Sequence, residues 1–225
     1  MGMNDDPMTD GIILIDKPAG MTSFGVVARI KRVLRERAGK KVKVGHTGTL
    51  DPFATGLMIV VVGKECKNAG LYSKLDKVYE ATINLGQTST TGDIEGEIID
   101  ISDTVPTRQQ VELVLDKFKG EITQRPPIYS AIKVNGERAY KLARKGVEVV
   151  IPTRQVTIFS LELLEYNYPA VSVRVHVSSG TYIRTLAEDV GKELGVGAYC
   201  IQLRRTEIRD KSVSDAQLVT DFTAT

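Results

Sequence analysis

An α+β fold is predicted, because strand and helix signals mix along the chain without the regular alternation of a doubly wound sheet. Residues 57–62 form a short, β-branched run bounded by glycines, as a buried strand does. Residues 23–37 place Val26, Val27, Ile30, Val33 and Leu34 on one helical face. With 225 residues, 42% of them apolar, the chain suits a single domain that carries an insertion.

The elements follow in order. Residues 1–10 read as a loose tail and residues 12–15 as a strand, closed by a turn at Lys17-Pro18-Ala19-Gly20. Ser23 is the expected N-cap of the first helix, whose polar face is basic. Residues 77–85 read as a strand in which Val78, Ala81, Ile83 and Leu85 alternate imperfectly. Thr107-Arg108-Gln109-Gln110 is a capping box, opening a helix to about Lys119 that Gly120 stops. Residues 125–152, broken by prolines and glycines around a short helical stretch, read as an insertion. Residues 156–166 and 171–178 read as paired strands. Residues 182–194 read as a helix stopped by Gly195, although Gly191 weakens it.

The formal charge is only +2, but the charges are segregated. Arg29, Lys31, Arg32, Arg35, Arg37, Lys40, Lys41 and Lys43 stand against the single acid Glu36. A second basic set is Lys133, Arg138, Lys141, Arg144 and Lys145, while Asp93, Glu95, Glu97, Asp100 and Asp103 gather elsewhere. Such segregation fits a polyanion-binding face, and equally a solvated helix face. Cys66 and Cys200 make no disulfide framework, and with His46 and His176 they lack the close spacing of a zinc site, so no metal is expected. Gly63-Lys64-Glu65 lacks the Ser/Thr and the glycine spacing of a phosphate loop. Neither a signal-peptide h-region nor a run of about 20 apolar residues is present, so a cytoplasmic protein with no membrane contact is expected.

The chemistry-bearing segment is residues 45–56, GHTGTLDPFATG, which holds three glycines, His46 and the Asp51-Pro52 pair. Pro52 biases Asp51 toward an extended backbone. A carboxylate fixed on such a loop suits a nucleophile or general base, and the same residues also suit a plain turn.

This segment resembles the catalytic motif of the bacterial tRNA pseudouridine-55 synthase family. GIILIDKPAGMTS at 11–23, KVYEATINLG at 77–86, RPPIYSAIKVNGERAYKLARKG at 125–146, SSGTYIRTLAEDVG at 178–191 and GAYCIQLRRT at 197–206 resemble further family motifs, in the family's order. The resemblance implies the pseudouridine synthase fold, a mixed, largely antiparallel sheet flanked by helices. It implies isomerisation of uridine 55 in the tRNA T loop after base flipping, without a cofactor. Asp51 falls on the catalytic aspartate, Tyr79 on the active-site tyrosine, and Arg184 on the arginine that pairs with that aspartate. Tyr182 and Leu203 match positions lining the uracil pocket, and His46 a histidine that touches the RNA loop. Residues 125–146 match the segment that grips the T arm. Lys17 and Lys64 are candidate phosphate contacts. The expected protein is a monomeric catalytic domain over residues 1–225, without the small C-terminal RNA-binding PUA domain of typical members. Thr90 departs from the family, which has an acid there.

Overall fold

The computed structural model describes residues 10–130, 132–134, 136–144, 146–147 and 150–223. The expected tail, except Asp10, therefore lies outside the described residues. So do Lys145 and the side chains of Lys133, Lys141 and Arg144 from the second basic set.

In chain order the first elements are β1 (Gly11–Lys17), α1 (Ser23–Ala38), β2 (Val44–His46), β3 (Thr55–Val62), α2 (Ala69–Ser73), β4 (Lys77–Leu85), β5 (Gln87–Ser89) and β6 (Ile98–Asp100). Next come α3 (Arg108–Lys117), β7 (Gly120–Gln124), β8 (Lys133–Val134), β9 (Glu137–Arg138), α4 (Ala139–Arg144) and β10 (Arg154–Asn167). The chain closes with β11 (Ala170–Val177), α5 (Ile183–Glu193), β12 (Ala198–Ile208), β13 (Lys211–Ser212) and β14 (Gln217–Leu218). The α+β class agrees with the sequence reading. The chain forms two compact units: residues up to Leu75 together with those from Arg204 onward, and Asp76–Leu203. The sequence reading expects one domain.

The first unit is built on a mixed sheet. β3 pairs antiparallel with β1 and parallel with β12, while β1 pairs parallel with β14. All of β3 after Thr55 is buried, as its uninterrupted apolar run requires. Leu57, Ile59 and Val61 pack with Ile208, and Ile12 and Leu14 close over them. Met58, Val60 and Val62 point to the opposite face, since side chains alternate along a strand. α1 buries Val26, Val27, Ile30, Val33 and Leu34, the five residues of its sequence-predicted face. Its N-cap is Thr22, not Ser23: the Thr22 hydroxyl accepts the Gly25 N–H at 3.0 Å. Ser23 is otherwise engaged, because its buried hydroxyl bonds both the N–H and the carbonyl of Leu50, at 2.9 and 3.0 Å. Lys31, Arg32, Arg35 and Arg37 are exposed on the other side of the helix. Arg29 is half-buried and donates to the carbonyls of Thr220 and Phe222.

The second unit is built on an antiparallel sheet in the order β4-β11-β10-β7. β11 alternates strictly, burying Val171, Val173 and Val175, which stand opposite Ile83, Ala81 and Tyr79 of β4. Residues directly opposite share a face, so the inward set of β4 is Tyr79, Ala81, Ile83 and Leu85. Val78 points the other way, which explains the imperfect alternation. α3 lies against β10, and α5 against β4. The Thr107 capping box is present, but α3 ends at Lys117 and Gly120 opens β7 instead of closing the helix.

Gly191, which weakens α5 by propensity, is required by packing. A Cβ there would stand 2.3 Å from the Ala198 nitrogen and 2.4 Å from the Ala198 Cβ. The Gly191 carbonyl also accepts the N–H groups of Val196 and Gly197, each at 3.0 Å. Close approach of β12 to the helix thus decides the residue. Gly191→Ala is expected to lose about 3 kcal/mol or more in urea denaturation, because backbone cannot give way cheaply. Gly70→Ala, on α2 with open space around it, is expected to gain up to about 1 kcal/mol in the same assay.

Candidate active site

Asp51 belongs to the first unit, on the loop between β2 and β3. It is half-buried, and its own carbonyl accepts the Ala54 N–H at 3.2 Å, forming the tight turn that Asp-Pro predicts. The loop is held by side chains beneath it. Lys17 has no exposed surface and donates from Nζ to the carbonyls of Pro18, Met21 and Pro52 at 2.8, 2.7 and 3.1 Å. The Pro52 carbonyl also takes the Gly20 N–H at 2.8 Å. Ser23 holds Leu50 from below, as described above. Arg205 is 1% exposed and donates to the Leu57 carbonyl at 2.7 Å and the Gly48 carbonyl at 3.2 Å. At Gly56, φ is 105° and a Cβ would stand 2.3 Å from the Arg205 carbonyl oxygen, so β3 and β12 meet there backbone to backbone.

The Lys17 ammonium is buried and donates to three main-chain carbonyls, the arrangement that makes a buried cation tolerable. Lys64 is different, with a side chain 89% exposed and an ion pair to Asp10 at 3.6 Å. His46 ends β2, half-buried, paired in register with Val60.

Tyr79, Tyr182, Arg184 and Leu203 belong to the second unit. Tyr79 is buried on the inward face of β4, and Leu203 is buried on β12. Tyr182 is half-buried at the N-cap position of α5, with the Arg154 guanidinium 5.4 Å from its ring centroid. That distance suits a cation–π contact.

Arg184, in the first turn of α5, is held on three sides. Its guanidinium donates to the carbonyls of Thr91 at 2.7 Å and Tyr129 at 2.8 Å, and lies 3.3 Å from Asp93 Oδ2. Both side chains of this ion pair are nearly inaccessible, at 3% and 4% exposure. Asp93 Oδ1 accepts the Thr91 hydroxyl at 2.6 Å and the Glu95 N–H at 3.0 Å. Asp93 is thus a buried counter-charge, whereas the sequence reading places it in a gathering of acids apart from the basic runs. The Thr90 departure falls in the same loop, where its hydroxyl accepts the Glu97 N–H at 3.0 Å. Sequence reasoning misses Asp93, Arg205, Ser23 and Gln124. All four lie in or beside the recognised motifs, but their burial and partners come from distant segments.

Glu188 stands one turn beyond Arg184 on α5. Burial raises its carboxyl above the ordinary 4.5, Arg184 pulls the other way, and Asp189 and Asp93 add to the rise. Among the described residues, no group of three or more His, Cys, Asp or Glu side chains could hold a metal ion, and no helix is long and apolar enough to cross a membrane.

Two outcomes are expected. Asp93→Asn leaves the Arg184 charge buried without its counter-charge, and should cost about 3 kcal/mol in urea denaturation, since breaking one side of a buried pair is strongly destabilising. A carboxyl raised in the folded state contributes stability below its unfolded value, and that contribution is lost as pH rises through the folded value. Glu188→Gln should therefore match or exceed the wild type in stability at about pH 7, with the difference vanishing toward about pH 4. Denaturation midpoints across that range check it.

A crystal structure of a Cbf5-Nop10-Gar1 complex contains a chain that superposes with a TM-score of 0.71 at 31% identity, over 95% of this chain and 53% of that one. A structure of an H/ACA RNP bound to a substrate RNA containing 2′-deoxyuridine gives a TM-score of 0.69 at 28% identity, over 96% and 53%. A curated relative from an Azoarcus species, tRNA pseudouridine synthase B, is 46% identical over 203 residues. The match takes in 90% of this chain and spans 66% of the relative's own length. Residues 31–183 match the family model described as TruB family pseudouridylate synthase, N-terminal domain, and the chain belongs to that family.

Proposed function

We propose that the protein is a tRNA pseudouridine synthase that isomerises uridine 55 of the T loop, with Asp51 as the catalytic carboxylate. The observation that carries this reading is the construction of the Asp51 loop, whose backbone is held from beneath by the buried Lys17 and Arg205. A reacting carboxylate must keep its position while a base is brought to it, and a loop pinned through its main chain meets that need. Membership of the family and the curated relative's name support the same reaction class.

In this reading the N1–C1′ bond of the target uridine breaks, the uracil turns, and a C5–C1′ bond forms. The C5 proton leaves and N1 gains one, so the net change is an isomerisation that needs no electrons, phosphate or cofactor. Asp51 either adds to uracil C6 or acts at ribose C1′. The base must leave its stack, at a cost of about a few kcal/mol. Tyr79 stacking on it offsets part of that cost, at roughly 1–3 kcal/mol. Arg184 supplies positive charge to the reacting site. Tyr182 and Leu203 line the uracil, and His46 touches the opened RNA loop. The exposed Lys31, Arg32, Arg35 and Lys64 are available to phosphates, which are the sequence-independent part of RNA affinity. Residues 125–146 grip the T arm. The protein works as a cytoplasmic monomer.

The test is tritium release from an unmodified tRNA transcript labelled at uridine C5. Release by the wild type is expected, with Asp51→Asn slower by about ten-thousand-fold or more while still binding tRNA. Replacing the T loop on an intact stem should abolish release. A folded wild type that binds tRNA and releases nothing would overturn the reading, and release retained after T-loop replacement would overturn its site.

A further inference from the structure

The insertion that begins at Arg125 is joined to α5 by a polar seam that the reaction above does not use. Gln124, the last residue of β7, is fully buried. Its amide bonds Tyr182 twice: Nε2 donates to the Tyr182 carbonyl at 3.0 Å, and Oε1 accepts the Tyr182 N–H at 2.9 Å. The Tyr182 carbonyl also accepts the first helical bond of α5, from Leu186 at 3.1 Å. Tyr182 has no side-chain cap of its own, so Gln124 serves as a cap supplied from another strand. The seam continues along the next residues. The Thr185 hydroxyl donates to the Arg125 carbonyl at 3.4 Å, and Arg184 donates to the Tyr129 carbonyl at 2.8 Å. Tyr182, Arg184 and Thr185 at the start of α5 are thus bonded to Gln124, Tyr129 and Arg125 at the root of the insertion.

We propose that Gln124 is a positioning residue that transmits the placement of the insertion on RNA to Tyr182 and Arg184. The proposal rests on the functional reading above. A buried amide with both of its polar atoms committed to one main-chain residue leaves that residue little freedom, and its loss frees the ring of Tyr182 and the first turn that carries Arg184. Because the insertion follows Gln124 directly, a shift of its root moves the same two side chains. Gln124 touches neither base nor ribose in this scheme. It acts on the chemical step and leaves the phosphate contacts that set affinity in place.

The experiment compares wild type, Gln124→Met and Gln124→Glu. The first keeps the size and removes both bonds; the second keeps the bond from the Tyr182 N–H and loses the donor. Single-turnover pseudouridine formation and tRNA affinity are measured on the same preparations. The expected result for Gln124→Met is a single-turnover rate lower by about tenfold to a hundredfold, as for displaced catalytic groups, with tRNA affinity within about threefold of wild type. Gln124→Glu is expected to fall between. A readout independent of activity is the side-chain Nε–H resonance of Arg184 in arginine-labelled protein, identified by its loss in Arg184→Lys. It should shift or broaden in Gln124→Met. An unchanged rate in a folded variant, an affinity loss that accounts for the whole effect, or an unmoved Arg184 resonance would each overturn the proposal. So would unfolding of both variants where the wild type is folded, which would make Gln124 an ordinary structural residue. If the wild type itself forms no pseudouridine in tRNA, the functional reading fails, and the resonance still decides whether Gln124 positions Arg184.

Discussion

Lys17 and Arg205 carry two positive charges without contact with water, and both discharge their hydrogen-bond donors onto main-chain carbonyls around one loop. A buried cation that loses its acceptors is costly, so the conformations open to the loop are those that keep its carbonyls turned inward. The Ser23 hydroxyl adds a third tie at Leu50. These ties fix the main chain on both sides of Asp51.

In the second unit the same device appears with a carboxylate added to the carbonyls. Arg184 is the buried cation, two carbonyls and Asp93 receive it, and Asp93 is itself saturated by Thr91 and Glu95. A guanidinium is suited to this because its donors lie in one plane and can reach three directions without losing charge. Burying an ion pair is weak evidence for stability, since desolvation offsets most of the attraction. The pair therefore reads better as a device that sets one geometry for the first turn of α5. Burial raises the Glu188 carboxyl on the same helix, and Arg184 opposes that rise.

Much of the fold was legible in periodicity. The inward face of α1, the buried run of β3, and the strands β10 and β11 all follow from apolar spacing, because burial of one face is a local pattern. The errors fall where a side chain has a distant partner. Ser23 looks like a cap and is a loop anchor, since Leu50 competes for its hydroxyl. Gly120 looks like a helix stop and opens β7. The strand β12 escaped notice because Arg204, Arg205 and Glu207 interrupt its apolar residues. Arg205 is nonetheless among the most buried side chains, and Arg204 is drawn to Asp16 by two bonds, at 2.6 and 3.1 Å.

The sequence alone determined the class of fold, the helix and strand faces, and the motif that carries Asp51, because these depend on residue types at fixed spacing. It also determined the family, through several motifs in one order. Tertiary structure decided which charges are internal. Lys17, Asp93 and Arg205 are indistinguishable in sequence from surface charges, and only the segments folded over them supply the carbonyls and hydroxyls that make their burial affordable. It likewise decided that Gly191 must remain glycine, since the backbone that excludes a side chain there comes from the start of β12. Local chemistry states what a residue can do; the partners brought by the fold select which of those things it does.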